Sequence, residues 1–214
     1  MRPELLKQAE NHVRILLEEN LPQASSFHNV DHTVQVVEKC QLLASYAPLS
    51  EIDKHALLLS AWFHDTGYIR CIDNHEEESV RIAFDFLKGK SVAPEYFSRI
   101  QKIILSTKVT AKPSSLAEEI IRDADMQHLG SPHYEMWSRR LKRELEHLHG
   151  MKKSDTEWTK QNIAFFRSHH YHTRIARTLW ERQKQKNFFR LLDSTKVVDK
   201  NYDQTVVGLV PKFN

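Results

Sequence analysis

The sequence predicts an all-α fold, arranged as a single-domain helical bundle, and three observations support this prediction. The chain has 214 residues, which matches one domain at the usual ~100–200 residues per domain. It contains only 5 glycines and 7 prolines, so few positions interrupt a helix and long elements are expected. Apolar residues recur at helical spacing along most of the chain, whereas no segment has the alternation typical of a β-hairpin.

Each predicted helix is defined by an apolar stripe and by residues that begin or end helices. Pro3 begins the first helix, Ser50 is expected to cap the third, and Gly89 ends the fourth. The third helix is apolar on nearly every side, which predicts that it lies at the centre of the bundle. The predicted helices cover residues 3–20, 29–46, 51–65, 75–88, 94–106, 116–121, 132–149, 155–167 and 173–192. Residues 196–214 are less helical in pattern and are interpreted as an ordered strap or a tail.

Charge, cysteine content and hydropathy exclude several classes of protein. The net charge of +3 is too small to indicate a nucleic-acid or anionic-membrane partner, so neither is expected. Cys40 and Cys71 are the only cysteines, which excludes a disulfide scaffold. No apolar run approaches ~18 residues, so a membrane span is not expected. The first residues lack the pattern of a secretion signal, and a cytoplasmic location is therefore predicted.

The motif that points to chemistry is His64-Asp65, at the end of the apolar third helix. A buried carboxylate costs several kcal/mol unless it is compensated, and a divalent cation compensates it directly. Two ligands make a poor site, so further ligands should come from neighbouring helices. The segment FHNVDHT supplies two histidines four residues apart, and RDADM supplies two aspartates.

The order His32, His64-Asp65, Asp125 resembles the signature of the HD superfamily of metal-dependent phosphohydrolases. The segments FHNVDHT, AWFHDTGY, NHEEES, RDADMQHLG and FFRSHHYHTRIA together resemble small bacterial single-domain HD proteins over residues 25–192. The resemblance implies an HD-type helical bundle over residues 1–195, followed by the strap or tail at 196–214.

The resemblance also implies the metal ligands. His32, His64, Asp65 and Asp125 would bind one divalent ion, with Mn, Mg, Fe, Co, Ni and Zn all left open as its identity. Asp123 is the rival for the last ligand. We favour Asp125 because it follows the small Ala124 and precedes an apolar residue, as the last aspartate of the family usually does.

The activity implied is hydrolysis of a small phosphorylated substrate, expected to be a nucleotide or a nucleotide derivative. The ion would polarise a phosphoryl oxygen and lower the pKa of water, and Asp65 would orient that water while remaining a ligand. His75 and Glu76 are expected near the site as partners of the ligands, as a general acid and base, or as ligands of a second ion. Acidic residues at 76–78 also suit the start of any helix. The residues predicted to bind the substrate are His28, Arg70, Lys108 and Arg122.

Two other functions stay open at this point. One is a non-catalytic sensor of a metal or nucleotide. The other is a di-iron oxygenase of the HD type, which needs further histidines between His64-Asp65 and the last aspartate, where the sequence has only His75. The residues after Asp65 lack the Glu-Asp pair of alarmone hydrolases, and Tyr68 stands where some HD 5′-nucleotidases have a glutamate.

Two further expectations concern packing and assembly. The histidines at 169, 170 and 172 are expected to support packing between two helices rather than to belong to the active site. The tryptophans are expected to fill the core or a dimer face, because aromatic side chains bury large areas, and a homodimer is left open.

Overall fold

The computed structural model describes residues 3–90, 92–150 and 152–207, without the side chains of 149 and 196–207. Regular structure in this part of the chain is entirely helical, which confirms the predicted all-α fold. Two short 3₁₀ helices, Thr66–Ile69 and Met126–Gly130, follow α3 and α6. The α-helices are α1 Pro3–Asn20, α2 Val30–Ser45, α3 Glu51–Phe63, α4 His75–Leu87, α5 Pro94–Leu105, α6 Leu116–Asp125, α7 Tyr134–His149, α8 Asp155–Ser168 and α9 Arg174–Val207.

The starts of several helices are fixed by polar side chains that accept hydrogen bonds from the first turn. Ser50 accepts from the Asp53 N–H, which confirms the predicted cap of α3. Asn29 accepts from the His32 N–H, so the cap of α2 holds the turn that carries His32. Such caps stabilise a helix by about 1 kcal/mol each and set where it begins.

Helix α3 lies at the centre of the bundle, as its apolar sequence predicts. It packs against α1, α2, α4, α5 and α6. Leu57 lies on one side of the helix and Leu59 and Phe63 on the other, and all three are buried. Because the end of α3 is enclosed, His64 and Asp65, which follow it directly, are buried as well.

Gly67 brings the 3₁₀ helix Thr66–Ile69 into direct contact with the start of α4. A Cβ atom at this position would lie 1.9 Å from the carbonyl oxygen of His75, far inside van der Waals contact. The Gly67 N–H also donates to Ser79 Oγ at 2.8 Å. This close approach places His75, the first residue of α4, beside Asp65.

The largest differences from the predicted elements are at two C-termini. Helix α6 continues to Asp125 instead of ending near residue 121. Helix α9 continues to Val207 instead of ending near residue 192, so residues 196–207 are helical. Residues 208–214 of the predicted strap or tail lie outside the described residues, and the division at residue 195 stays a prediction. None of the described helices combines the length and apolar character needed to cross a membrane.

Candidate metal centre

The side chains of His32, His64, Asp65 and Asp125 converge between helices α2, α3 and α6. His32 lies in the first turn of α2, His64 and Asp65 follow α3, and Asp125 is the last residue of α6. His32 Nε2 is 3.3 Å from Asp65 Oδ2 and 3.1 Å from Asp125 Oδ1. His64 Nε2 is 3.1 Å from Asp65 Oδ2 and 4.0 Å from Asp125 Oδ1. The sequence separates these residues by up to 93 positions, and the fold brings them together.

These distances fit a shared divalent cation. With metal–ligand bonds near 2.1 Å, neighbouring ligands of an octahedral ion lie roughly 3.0 Å apart and opposite ligands roughly 4.2 Å apart. The separations of 3.1–3.3 Å and 4.0 Å match that pattern. His32, His64 and Asp125 in particular each offer one ligand atom within 4.8 Å of the others.

The two histidines present the correct nitrogen for a metal. The Nε2 atoms of His32 and His64 are buried and form no hydrogen bond of acceptable geometry with any described residue. His64 Nδ1 lies 2.9 Å from the carbonyl oxygen of Ala61. Because a carbonyl only accepts, Nδ1 carries a proton, and Nε2 is the nitrogen that would offer its lone pair to a metal. A buried nitrogen without a partner is costly, and a cation would satisfy both nitrogens.

The carboxylates at the centre are held in the charged form. Burial raises the pKa of the Asp65 carboxyl, but the neighbouring His64 and then His32 outweigh burial and hold that pKa well below its ordinary value. Burial also raises the pKa of Asp125, but His32, together with His64, outweighs burial and holds that pKa below its ordinary value. Two ionised carboxylates beside two imidazoles therefore form a buried site whose chemistry suits a divalent cation.

Asp123, the rival of Asp125, has a different role in the structure. Its Oδ1 accepts the His172 N–H at 2.7 Å. Its Oδ2 accepts the N–H and the hydroxyl of Thr173, at 2.8 and 2.7 Å. These bonds link the end of α6 to the start of α9. The geometry thus favours Asp125 over Asp123 as a ligand.

His75 and Glu76 lie next to the other oxygen of Asp65. His75 Nε2 is 3.7 Å from Asp65 Oδ1 and 3.5 Å from Glu76 Oε1. His75 Nδ1 lies 2.9 Å from the carbonyl oxygen of Ile72, which leaves Nε2 to face the carboxylates. The ring of Tyr68 stacks on His75 with centroids 4.0 Å apart. Asp65 therefore faces the metal ligands with one oxygen and His75 with the other.

Two of the predicted substrate-binding residues are paired with acidic residues of α4. Arg70 forms an ion pair with Glu78, and Lys108 forms one with Glu77. The Arg70 side chain is 60% exposed. These pairs give Glu77 and Glu78 specific partners beyond the general preference for acids at a helix start. Binding of substrate by Arg70 and Lys108 stays a prediction.

Arg122 and His28 are each held by hydrogen bonds close to the centre. Arg122 donates through Nη1 to the carbonyl oxygens of Ser106 and of Lys108, the second at 2.7 Å. His28 pairs through Nδ1 with Glu144. Arg122 thus anchors the loop after α5, whereas His28 is tied to α7.

A cavity of about 470 Å³ adjoins Asp125. One part of its wall is apolar and contains Val109, Met126 and Phe165. The other part is polar and is formed by Lys112, Arg122, His169, His170 and His172. The three histidines, expected from the sequence to support packing, thus line a cavity that reaches a candidate metal ligand. Their spacing alone gave no indication of this.

Glu144 is a site residue that sequence reasoning missed. Its carboxylate is fully buried and accepts the N–H groups of Phe27 and His28 at 2.7 and 3.0 Å. It lies in YEMWSRRLKRELEHLH, a helix with several acidic residues in a mostly charged pattern. No sequence signal distinguishes Glu144 from the others, because only the packing of α7 against the loop before α2 buries it.

The helical bundle and the converging histidines and aspartates define a protein with a candidate site for a divalent metal ion. Residues 29–128 match the family model of the HD domain, and the match includes all four predicted ligands. Residues 29–128 therefore form an HD domain, and domains of this superfamily are generally metal-dependent hydrolases that bind divalent cations. A search of curated proteins found no match to this chain.

Proposed function

We propose that this protein hydrolyses a phosphate ester of a nucleotide or nucleotide derivative, with one divalent cation held by His32, His64, Asp65 and Asp125. The observation that supports the proposal most directly is the convergence of His32, His64 and Asp125, which each offer a ligand atom within 4.8 Å of the others. When bound, a divalent cation supplies Lewis-acid chemistry, since it polarises a phosphoryl oxygen and lowers the pKa of water.

The residues around Asp65 supply the proton chemistry that hydrolysis needs. Asp65 Oδ1 lies away from the two ligand histidines and is 3.7 Å from His75 Nε2. Asp65 would orient the attacking water and accept its proton through this oxygen. His75 would receive the proton, and Glu76, 3.5 Å from His75 Nε2, would hold the ring and stabilise its charge. This gives Asp65, His75 and Glu76 the catalytic roles.

The cavity beside Asp125 would bind the remainder of the substrate. Its volume of about 470 Å³ lies within the ~300–1,000 Å³ typical of small-molecule sites. The apolar wall suits an organic group such as a base, and Lys112 offers positive charge for further phosphate groups. The apolar residues and the lysine near Asp125 favour a nucleotide over a small phosphate ester without a ring system as the substrate.

The test is a panel of mono-, di-, tri- and cyclic nucleotides with Mn, Mg, Fe, Co, Ni and Zn, after removal of bound metal by a chelator. Released phosphate and pyrophosphate are measured. We expect turnover by the natural chain, loss of turnover and of metal retention in Asp65→Ala, and no change in Asp155→Ala. Asp155 is a matched control because its side chain is 99% exposed and pairs with Lys142, apart from the centre.

The same experiment separates the other two functions. Nucleotide binding without release of phosphate under any of the metals would contradict the proposal and support a sensor. Consumption of dioxygen by the iron-loaded protein would support an oxygenase instead. Equal turnover by Asp65→Ala and the natural chain would show that the assignment of Asp65 is wrong.

A further inference from the structure

Residues 169–173 connect α8 to α9 without regular secondary structure, yet their backbone is firmly held. Three charged side chains form hydrogen bonds with it, and these are Asp123, Arg177 and Lys184. Lys184 is buried, and its Nζ donates to the carbonyl oxygen of His169 at 2.7 Å. Removal of such charges from water costs free energy. A connection fixed at this cost is preorganised to present its side chains, as ligand-binding loops are.

His172, in this segment, lines the cavity beside Asp125, and its ring is held on two sides. The ring of His170 meets it edge-on, with centroids 5.0 Å apart and planes 62° apart. Arg122 Nε donates to His172 Nε2 at 3.4 Å. Because a guanidinium donates hydrogen bonds and accepts none, Nε2 accepts and Nδ1 carries the only ring proton. Among the described residues none accepts this Nδ1–H, so it is the donor that His172 keeps for a ligand.

The surroundings of the segment also favour uncharged imidazoles. Burial, followed by the charge of Lys184, lowers the pKa of His169 to about 3. Burial also lowers the pKa of His172, an effect that Asp123 opposes and Arg122 strengthens. A neutral imidazole donates a hydrogen bond without attracting a phosphate group by charge. The wall at His172 therefore suits an uncharged acceptor such as a carbonyl oxygen.

The cavity places hydrogen-bond donors beside an apolar face. Phe165 lies on the apolar wall. On the polar wall Lys112 and Arg122 only donate hydrogen bonds, and His172 donates through Nδ1. Among the described residues that line the cavity, Asp125 is the only carboxylate. A flat ring with a carbonyl group at its edge matches both walls, because the ring packs on an aromatic side chain and the carbonyl oxygen accepts.

The three histidines of the segment are not arranged as a metal site. In the part of the chain that the structure describes, ligand atoms of three such side chains come within 4.8 Å of one another at the candidate metal centre and not in this segment. Recognition of an organic ligand is therefore the task that fits their place in the cavity wall.

We propose that the cavity selects nucleotides by their base, and that His172 determines this specificity by donating its Nδ1–H to a carbonyl oxygen of an oxo base such as hypoxanthine, guanine or uracil. The inference deepens the proposed phosphohydrolase function and rests on it. Adenine and cytosine present an amino group where these bases present a carbonyl, so two donors would face each other. The base would lie against Phe165, and the phosphate ester would lie toward Asp125.

A purely structural role for His172, as the acceptor for Arg122, makes a different prediction. Two amide variants separate the roles, because each keeps the function of one ring nitrogen. The asparagine amide reaches about as far as Nδ1 and donates there, whereas the glutamine amide reaches about as far as Nε2 and accepts from Arg122. His172→Asn thus keeps the donor for the base and loses the partner of Arg122. His172→Gln does the reverse.

The test measures binding of nucleosides, which have no phosphate ester to hydrolyse. Inosine, adenosine and purine riboside form a matched series, since C6 of their base carries a carbonyl group, an amino group and a hydrogen atom, respectively. Ribose 5-phosphate supplies a phosphate without a base. Titration calorimetry gives the affinity of the Mn²⁺-loaded protein for each ligand. The control variant is His147→Gln, because His147 is exposed on α7.

We expect the natural chain to bind inosine about tenfold more tightly than adenosine or purine riboside, the effect of one hydrogen bond made or left unpaired. His172→Gln should bind all three nucleosides within about twofold of one another, chiefly through weaker binding of inosine. His172→Asn and His147→Gln should keep the preference for inosine. A structural role would lower the three affinities alike, so their ratio separates recognition from support.

Several results would overturn the inference. One is equal affinity of the natural chain for the three nucleosides. Others are a preference for inosine that persists in His172→Gln or is lost in His172→Asn. Binding of ribose 5-phosphate without binding of any nucleoside would show that the polar wall holds phosphate instead. If the variants do not fold, the nucleoside series with the natural chain still decides, because it needs no substitution.

Failure of the inference and failure of the proposed function are distinguishable. If the natural chain hydrolyses no nucleotide under any of the metals and still prefers inosine, the proposed function fails and the contact of His172 with the base stands. If it hydrolyses nucleotides and shows no preference among the three nucleosides, the proposed function stands and the inference fails.

Discussion

The carboxylate of Asp123 accepts two hydrogen bonds from Thr173, one from the backbone N–H at 2.8 Å and one from the hydroxyl at 2.7 Å. The Thr173 hydroxyl also accepts the Ala176 N–H at 3.2 Å, so the aspartate stabilises the first turn of α9 through it. Two aspartates that are separated by one residue in the sequence therefore have different roles. Asp123 joins two helices, and Asp125 faces His32.

Asparagine at these two positions should separate stability from metal binding. Asp123→Asn weakens a set of buried hydrogen bonds and should cost about 1–3 kcal/mol. For a chain of this size each kcal/mol lowers Tm by roughly 2–4 °C. Asp125→Asn removes the charge beside His32, so it should also lower Tm of the metal-free protein, but unlike Asp123→Asn it should lower Mn²⁺ affinity by more than about tenfold. Thermal unfolding and calorimetric titration measure the two effects. If Asp123→Asn lowered Mn²⁺ affinity and Asp125→Asn did not, Asp123 would be the ligand instead.

A divalent metal should stabilise the folded protein. A ligand that binds only the folded state adds about 2.7 kcal/mol when its concentration is 100 times Kd. We therefore expect Tm to rise by several degrees on addition of Mn²⁺ to the natural chain. Asp65→Ala should show almost no rise, and Asp155→Ala should rise like the natural chain. An equal rise in Asp65→Ala would contradict binding of the metal at this centre.

Gly67→Ala should impair both folding and hydrolysis. The added methyl group would lie 1.9 Å from the His75 carbonyl oxygen, so the start of α4 must move away from Asp65. Overpacking of this kind costs about 1–3 kcal/mol. Gly130→Ala is the control, because its methyl group would meet the Cβ atom of Trp180 at 2.6 Å. Both variants should lose stability, measured by urea unfolding. At temperatures where both are folded, kcat should fall further in Gly67→Ala.

Arg122→Lys should weaken substrate binding more than catalysis. The guanidinium holds the carbonyl oxygens of Ser106 and Lys108 at once, and one ammonium cannot reproduce this planar geometry. The loop after α5, which forms part of the cavity wall, should then become less ordered. We expect KM for a nucleotide to rise by roughly 3–10-fold and kcat to change less than twofold, the pattern of a lost binding contact. Arg139→Lys, at a 75% exposed side chain, should change neither constant.

Much of the fold could be predicted from the sequence because the signals are local. The cap at Ser50 and the apolar character of α3 depend on neighbouring residues alone, and both predictions are confirmed. The C-terminus of α9 was not predicted, because a charged helix without an apolar stripe resembles a loop in sequence. The end of α6 was predicted too early for a related reason, since the polar residues from Arg122 to Asp125 do not continue the apolar stripe.

The residues of the site likewise fall into those that the sequence predicts and those that it does not. His32, His64, Asp65 and Asp125 were proposed from a family pattern, and the structure brings them together. Glu144 carries no such pattern. Its burial depends on the contact of α7 with the loop before α2, a relation between segments 116 residues apart that spacing within one helix does not encode.

Residues beyond position 128 complete the surroundings of the four ligands, since Glu144 comes from α7 and His172 from the segment just before α9. A fragment cut at the end of the matched region would keep every ligand and lose the carboxylate behind His28 and the polar side of the cavity. Chimeras that exchange only the C-terminal helices between two such proteins would then transfer substrate preference while the metal chemistry stayed with the N-terminal half.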